Sequence, residues 1–187
     1  MLLTNGSRSQ RRGVTLIELV IVVAMVGILA TLATVGYSRY IRSAKTAEAT
    51  QMLGSIKSAQ EAFKSETFKY LNVSQDLTTP YPQGDRDVGK DKYAWEGGLP
   101  DSARANFESL GVNSSGPVQY GYACVAGSAS DTLPTLPHGF ETPEWPADPG
   151  GPWYVAMAWA DFDVDGVEGG YATSSLAAQI VSVNEGE

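Results

Sequence analysis

The sequence predicts an α+β protein in which one long N-terminal helix is followed by a small antiparallel β-sheet. Residues 14–37 form an almost unbroken apolar run, and residues 38–70 continue it with helical periodicity and without proline. Short segments rich in β-branched, aromatic and small apolar residues occur only in the C-terminal half. Because helical and strand patterns occupy separate parts of the chain, we expect an α+β arrangement.

The apolar run is preceded by a polar, basic leader at residues 1–13, which carries Arg8, Arg11 and Arg12. A run on the order of 20 apolar residues is long enough to cross the hydrocarbon core of a bilayer as a helix. The basic leader favours a cytoplasmic N-terminus, although basic residues also follow the run at positions 39, 42 and 45. We therefore predict a leader at 1–13 and a transmembrane helix at 14–37.

Residues 38–70 form the amphipathic half of the same predicted helix. Apolar residues recur at spacings of three and four, at Ile41, Ala44, Met52, Ile56, Ala59 and Phe63, with Leu53 beside them. A continuous helix over residues 16–68 is about 80 Å long at the standard rise. We expect its amphipathic half to pack on the sheet, whose inner face needs a cover.

The remaining chain divides into a connecting region at 71–117 and a sheet region at 118–187. The connecting region is rich in proline, glycine and aspartate, with one short helix predicted at 102–110. Strands are predicted at residues 118–126, 153–160, 170–175 and 178–183. Residues 132–152 contain six prolines, so we expect an irregular loop between the first two strands. Together, residues 38–187 form the predicted globular domain.

Composition excludes several classes of function. The net charge of −8 argues against nucleic acid as a partner, since phosphate binding needs a basic surface. The single cysteine, Cys124, excludes an internal disulfide, and we expect it to be a small buried residue of a strand. His138 is the only histidine, and no nucleophile–base pattern or phosphate loop is visible. We therefore predict no enzymatic activity and no cofactor.

Three aspartates alternate in an acidic segment, at Asp161, Asp163 and Asp165. Such carboxylates can converge on Ca²⁺, but an EF-hand loop beginning at Asp161 would need a glutamate where Ala172 stands. The alternative is a hairpin turn in which Asp165 and Gly166 supply the tight geometry. Both interpretations remain open from the sequence, and we assign no metal ligand.

Glu18 is the unusual residue of the apolar run. A carboxylate inside a membrane span costs roughly 2.5–3.5 kcal/mol on insertion scales, and therefore commonly marks a function or a partner. Here it follows two arginines and a glycine in the segment Arg-Arg-Gly-Val-Thr-Leu-Ile-Glu at 11–18. This segment resembles the type III signal of type IV prepilins and of the related pseudopilins of type II secretion.

The resemblance implies a filament subunit with a pilin-like lollipop fold. A prepilin peptidase would cut after Gly13, Val14 would be N-methylated, and Glu18 would be the carboxylate needed for methylation and assembly. The precursor would lie in the bacterial inner membrane with its N-terminus in the cytoplasm. Pilus or secretion machinery would then assemble the subunits, which self-associate through the N-terminal helix. The product would be a surface filament, or fimbrium, of the kind used in adhesion and motility.

Two departures and two alternatives accompany this resemblance. Val14 stands where the family most often has phenylalanine, and residues 34–36 lack the proline of many major pilins. The first alternative is that the chain is a pseudopilin of a type II secretion system. The second alternative belongs to a different class of protein, a secreted binding domain whose ordinary signal peptide is cleaved after Ala33.

Overall fold

The computed structural model describes residues 14–84, 86–140, 146, 148–177 and 179–184. Its first and longest element, α1, is a 52-residue helix at Leu16–Thr67. By contacts, the chain divides into two compact units, Met1–Ile41 and Arg42–Glu187, which share this helix between them.

The first unit contains the apolar part of α1. Within it, Leu16–Thr34 has a mean hydropathy of 2.7 over 19 residues and is long and apolar enough to cross a membrane. Its large apolar side chains are 47–80% exposed in the isolated chain. The sequence therefore correctly predicted an apolar N-terminal helix. An exposed apolar surface of this extent is unusual for a helix that stays in water.

In the second unit, α1 buries one narrow stripe. Ala49, Leu53, Ile56 and Gln60 are all 0% exposed, and their spacings of four, three and four place them on one face. This stripe is shifted from the predicted one, since Ala44 is exposed. Gln60 was missed because an apolar pattern does not register a buried amide.

The buried amide of Gln60 binds the chain where it returns from α1. Its Oε1 accepts a hydrogen bond from Leu71 N–H at 2.9 Å, and its Nε2 donates to Leu71 O at 2.7 Å. Nε2 also lies 3.3 Å from the Sγ of Cys124. One side chain thus satisfies two backbone groups of the returning segment. The same bonds satisfy the amide of Gln60, whose burial without partners would be costly.

The helix predicted at 102–110 is present as α2, at Asp101–Leu110. Its spacing of four and three buries Ala103, Phe107 and Leu110. Gly111 ends the helix in the left-handed conformation (φ 74°), and its N–H donates to the carbonyls of the last turn. That is the usual geometry for a glycine at a helix C-terminus.

The four strands form one antiparallel sheet in sequence order. They are β1 at Gly121–Gly127, β2 at Trp153–Ala160, β3 at Gly169–Ser174 and β4 at Val181–Val183. β2 coincides with its predicted range, whereas β1 begins later and β4 is shorter than predicted. The start predicted for the last strand, Ala178, lies outside the described residues. The sequence thus predicted the α+β class and the antiparallel pairing correctly.

Both faces of this sheet are covered, which explains why all eight residues of β2 are buried. On one face, Tyr122, Cys124 and Ala156 pack with the α1 stripe. On the other face, Val155, Met157 and Trp159 pack with Leu136 and Phe140. The latter two belong to the proline-rich segment between β1 and β2, whose described residues 132–140 are irregular, as predicted, and cover the core.

The connecting region likewise contributes to the core. Tyr81 packs edge-on against Trp95 with ring centroids 4.8 Å apart, and Trp95 lies 5.2 Å from Phe107 of α2. Tyr81 also pairs with Tyr122 across the outer edge of β1 through two backbone hydrogen bonds of 2.8 and 2.9 Å. These contacts attach the region to the sheet and protect a strand edge that would otherwise offer unpaired backbone groups.

Cys124 is expected to be inert towards thiol reagents while the chain is folded. Its side chain is 0% exposed, and burial raises the pKa of the thiol to about 12. Because the thiolate is the reactive species, neither access nor ionisation favours modification at neutral pH. A disulfide reagent should therefore label one thiol per chain in denaturant and almost none in buffer. Rapid labelling of the native chain would contradict this burial.

Candidate functional site

The candidate site lies at the start of α1, where the chain passes into the apolar helix. Gly13 and the rest of the leader lie outside the described residues. Val14 is 77% exposed and precedes the helix, and Glu18 lies in its first turn. The structure therefore places two of the three predicted site residues on one short stretch of chain, four residues apart.

Glu18 forms a reciprocal hydrogen-bonded pair with Thr15. The Thr15 backbone N–H and the Thr15 hydroxyl both donate to Glu18 Oε2, each at 2.9 Å. The Glu18 N–H donates in return to Thr15 Oγ1 at 3.3 Å, and the Leu19 N–H donates to Thr15 O at 3.2 Å. Thr15 is therefore the N-cap of α1, and the arrangement is a capping box.

This capping box gives Glu18 a role inside its own chain. It satisfies N–H groups that the first helical turn leaves without an intrahelical partner. It also places a negative charge at the positive end of the helix dipole. This local role is additional to the predicted role in methylation and assembly. The signal for this local role was present, because Thr15-x-x-Glu18 is the capping-box pattern.

The other polar side chains of the apolar segment are also satisfied locally. Thr31 donates its hydroxyl to Ile28 O at 2.7 Å, and Thr34 donates to Ala30 O at 2.9 Å. Hydroxyls bonded to the preceding turn are compatible with a hydrocarbon surrounding, where an unpaired polar group costs several kcal/mol. The segment thus presents an apolar exterior from its capped start to Thr34.

The acidic segment forms the connection between β2 and β3 and has its own internal order. One carboxylate oxygen from each of Asp161, Asp163 and Asp165 lies within 4.8 Å of the others. Asp161 uses both oxygens on the loop itself, accepting from Val164 N–H at 2.7 Å and Gly166 N–H at 2.9 Å. These bonds shape an antiparallel connection at residues 161–168, longer than a two-residue turn.

His138 lies beside this acidic segment. Its Nδ1 bonds the Glu168 carboxylate, and its ring stacks on Trp159 with centroids 4.6 Å apart. The pair ties the proline-rich segment to the β2–β3 connection, next to a cavity of about 310 Å³. The contact with Glu168 orients the imidazole and links the two segments.

One comparison with known proteins bears on the start of the chain. Residues 8–34 match the family described as "Prokaryotic N-terminal methylation motif", which is the type IV prepilin signal. The match confirms the predicted resemblance and covers the last six residues of the leader, Val14, the capping box and the apolar segment of α1. The search of curated proteins found no match to the chain.

Proposed function

From the type IV prepilin signal at residues 8–34, which supports a type IV pilin- or pseudopilin-like protein, we propose that this chain is a structural subunit of a type IV pilus or a related filament. The observation that carries the proposal is the signal joined directly to a capped, apolar helix. The pilin fold class agrees with it, since α1 precedes a small antiparallel sheet. In this proposal the chain builds a structure and catalyses no reaction.

The first step is processing at the membrane. A prepilin peptidase cleaves after Gly13, and Val14 becomes a new N-terminus that is then methylated. Before assembly, α1 holds the subunit in the bacterial inner membrane with the leader in the cytoplasm. The length and hydropathy of Leu16–Thr34 and the local hydrogen bonds of its threonines support this storage.

The second step is assembly by the apolar helix. Side chains that are 47–80% exposed in the single chain need either lipid or other copies of the helix around them. In a filament core the Val14 ammonium needs a counter-charge, and Glu18 of a neighbouring subunit supplies it. Because only one stagger between subunits brings the two charges together, the pair also sets the axial register.

Mass spectrometry of the mature protein tests the first step. We expect an N-terminus at Val14 carrying one methyl group. Gly13→Val should block cleavage, because bulk at the cut position obstructs the peptidase, and Gly13→Ala should do so less. A mature N-terminus at Thr34 would instead show an ordinary signal peptide and would disprove the filament proposal.

The abundance of the chain in sheared surface filaments tests the second step. A pilus subunit should be recovered in that fraction, and a major subunit should dominate it. A pseudopilin of a type II secretion system would be processed in the same way, yet would be scarce there, and its loss would reduce secretion. One fractionation thus distinguishes a pilus subunit from a pseudopilin.

A further inference from the structure

Two exposed tyrosines follow the apolar segment of the first unit. Tyr37 is 69% exposed and Tyr40 is 70% exposed. They lie three residues apart in α1, so their side chains share one face of the helix. Aromatic rings of this size are usually buried in a core or an interface. Their common exposure therefore requires an explanation.

Their axial position agrees with the edge of a bilayer. The candidate span Leu16–Thr34 rises about 27 Å at 1.5 Å per residue, close to the hydrocarbon thickness of about 30 Å. Tyr37 and Tyr40 follow the end of this span by about 4.5 and 9 Å. Side chains of an α-helix tilt towards its N-terminus, so both rings lean back towards the span.

Their hydroxyls differ from those inside the span. Thr31 and Thr34 donate to carbonyls of the preceding turn. Within the part of the chain that the structure describes, neither Tyr37 nor Tyr40 has a hydrogen-bond partner for its hydroxyl. A tyrosine with an apolar ring and an unsatisfied polar tip is suited to the membrane–water interface, where tyrosine and tryptophan are enriched.

We propose that Tyr37 and Tyr40 anchor the stored subunit in the glycerol–carbonyl layer on the outer side of the membrane and set the depth of α1. The partner is the phospholipid interface itself. The proposal rests on membrane storage under the proposed function. The alternative is that a second copy of the chain covers the rings. In that case the rings would not set the depth of α1, and the experiment distinguishes the two cases.

The experiment measures the depth of a label in phosphatidylcholine vesicles that contain the full chain. Leu32→Cys introduces one reactive thiol, because Cys124 is buried. Quenching of a fluorophore at that thiol by lipids with nitroxides at two depths reports its position. Changing both Tyr37 and Tyr40 to serine should move the label outwards, because polar side chains favour water. Changing both to phenylalanine should move the label inwards, because the apolar run becomes longer. We expect shifts of about 1.5–5 Å, from one residue to one turn.

The control is Tyr37→Trp with Tyr40→Trp, which keeps amphipathic rings and should keep the depth. An unchanged depth in the serine and phenylalanine variants would overturn the proposal. Energy transfer between labelled copies that falls in the serine variant, at constant depth, would also overturn the proposal. That result would show that the rings contact a second copy of the chain. Release of the unmodified chain by an alkaline wash would contradict membrane storage itself, and is distinguishable from both results.

Discussion

Glu18→Leu is expected to abolish filaments while leaving cleavage after Gly13 and membrane retention intact. Leucine makes the apolar segment a better membrane span, so insertion should be at least as efficient as in the unmodified chain. In a filament, however, the Val14 ammonium of a neighbour would be buried without a counter-charge. Breaking a buried pair in this way costs about 3–5 kcal/mol, which is large for each subunit added. The yield of sheared filaments, normalised to membrane-bound subunit, measures the effect.

Glu18→Gln separates the two roles of this side chain. Glutamine can still accept from Thr15 and complete a capping box, but it carries no charge. If assembly depends on the charge, Glu18→Gln should assemble as poorly as Glu18→Leu. If the cap alone matters, the glutamine variant should form normal filaments. Thr15→Ala is the reciprocal control, because it removes the cap, at about 1 kcal/mol, and leaves the charge.

Co-expression provides an internal check on the Glu18 variants. A variant subunit can still offer its own N-terminus to Glu18 of an unmodified neighbour, so it should enter mixed filaments as a minority component. Abundant filaments built from Glu18→Leu alone would refute the proposed pairing. The prepilin signal would remain, since it spans residues 8–34.

Gln60→Leu should lower the free energy of unfolding by about 2–3 kcal/mol, because it leaves two backbone groups of Leu71 unpaired. The cost of an unpaired buried group exceeds the small gain from a more apolar side chain. Chemical unfolding of the full chain in detergent, followed by tryptophan fluorescence, measures the change.

The matched control is Gln51→Leu, the same substitution at an exposed glutamine of α1. Its effect should lie within about 0.5 kcal/mol of zero, as for most surface changes. Equal losses in the two variants would show that leucine is simply unfavourable in this helix. A neutral Gln60→Leu would mean that the returning segment does not depend on the amide.

Elements with a clear period were predictable from the sequence. The apolar helix, α2 and β2 each carry a regular spacing or a continuous apolar run, and each was found close to its predicted range. The last strand is shorter than predicted, because an edge strand that is only half-buried has a weak pattern.

Irregular segments could not be assigned in the same way. Leu136 and Phe140 cover one face of the sheet from a proline-rich loop, and Trp95 enters the core from the connecting region. Such residues have no period, so only the folded chain shows which of them are buried. At the site, a carboxylate in an apolar run predicts a function or a partner, whereas only its spacing from Thr15 predicts the capping box.

The capping box also changes the thermodynamics of assembly. In the proposed filament, the Glu18 carboxylate meets a neighbour's ammonium while it is bonded to Thr15, and because both of these bonds use Oε2, Oε1 can accept from the ammonium with the cap in place. On this proposal the cap orients the carboxylate before assembly, so less side-chain freedom is lost when the pair forms. A filament built in this way would gain a contact whose acceptor is already oriented within the single subunit.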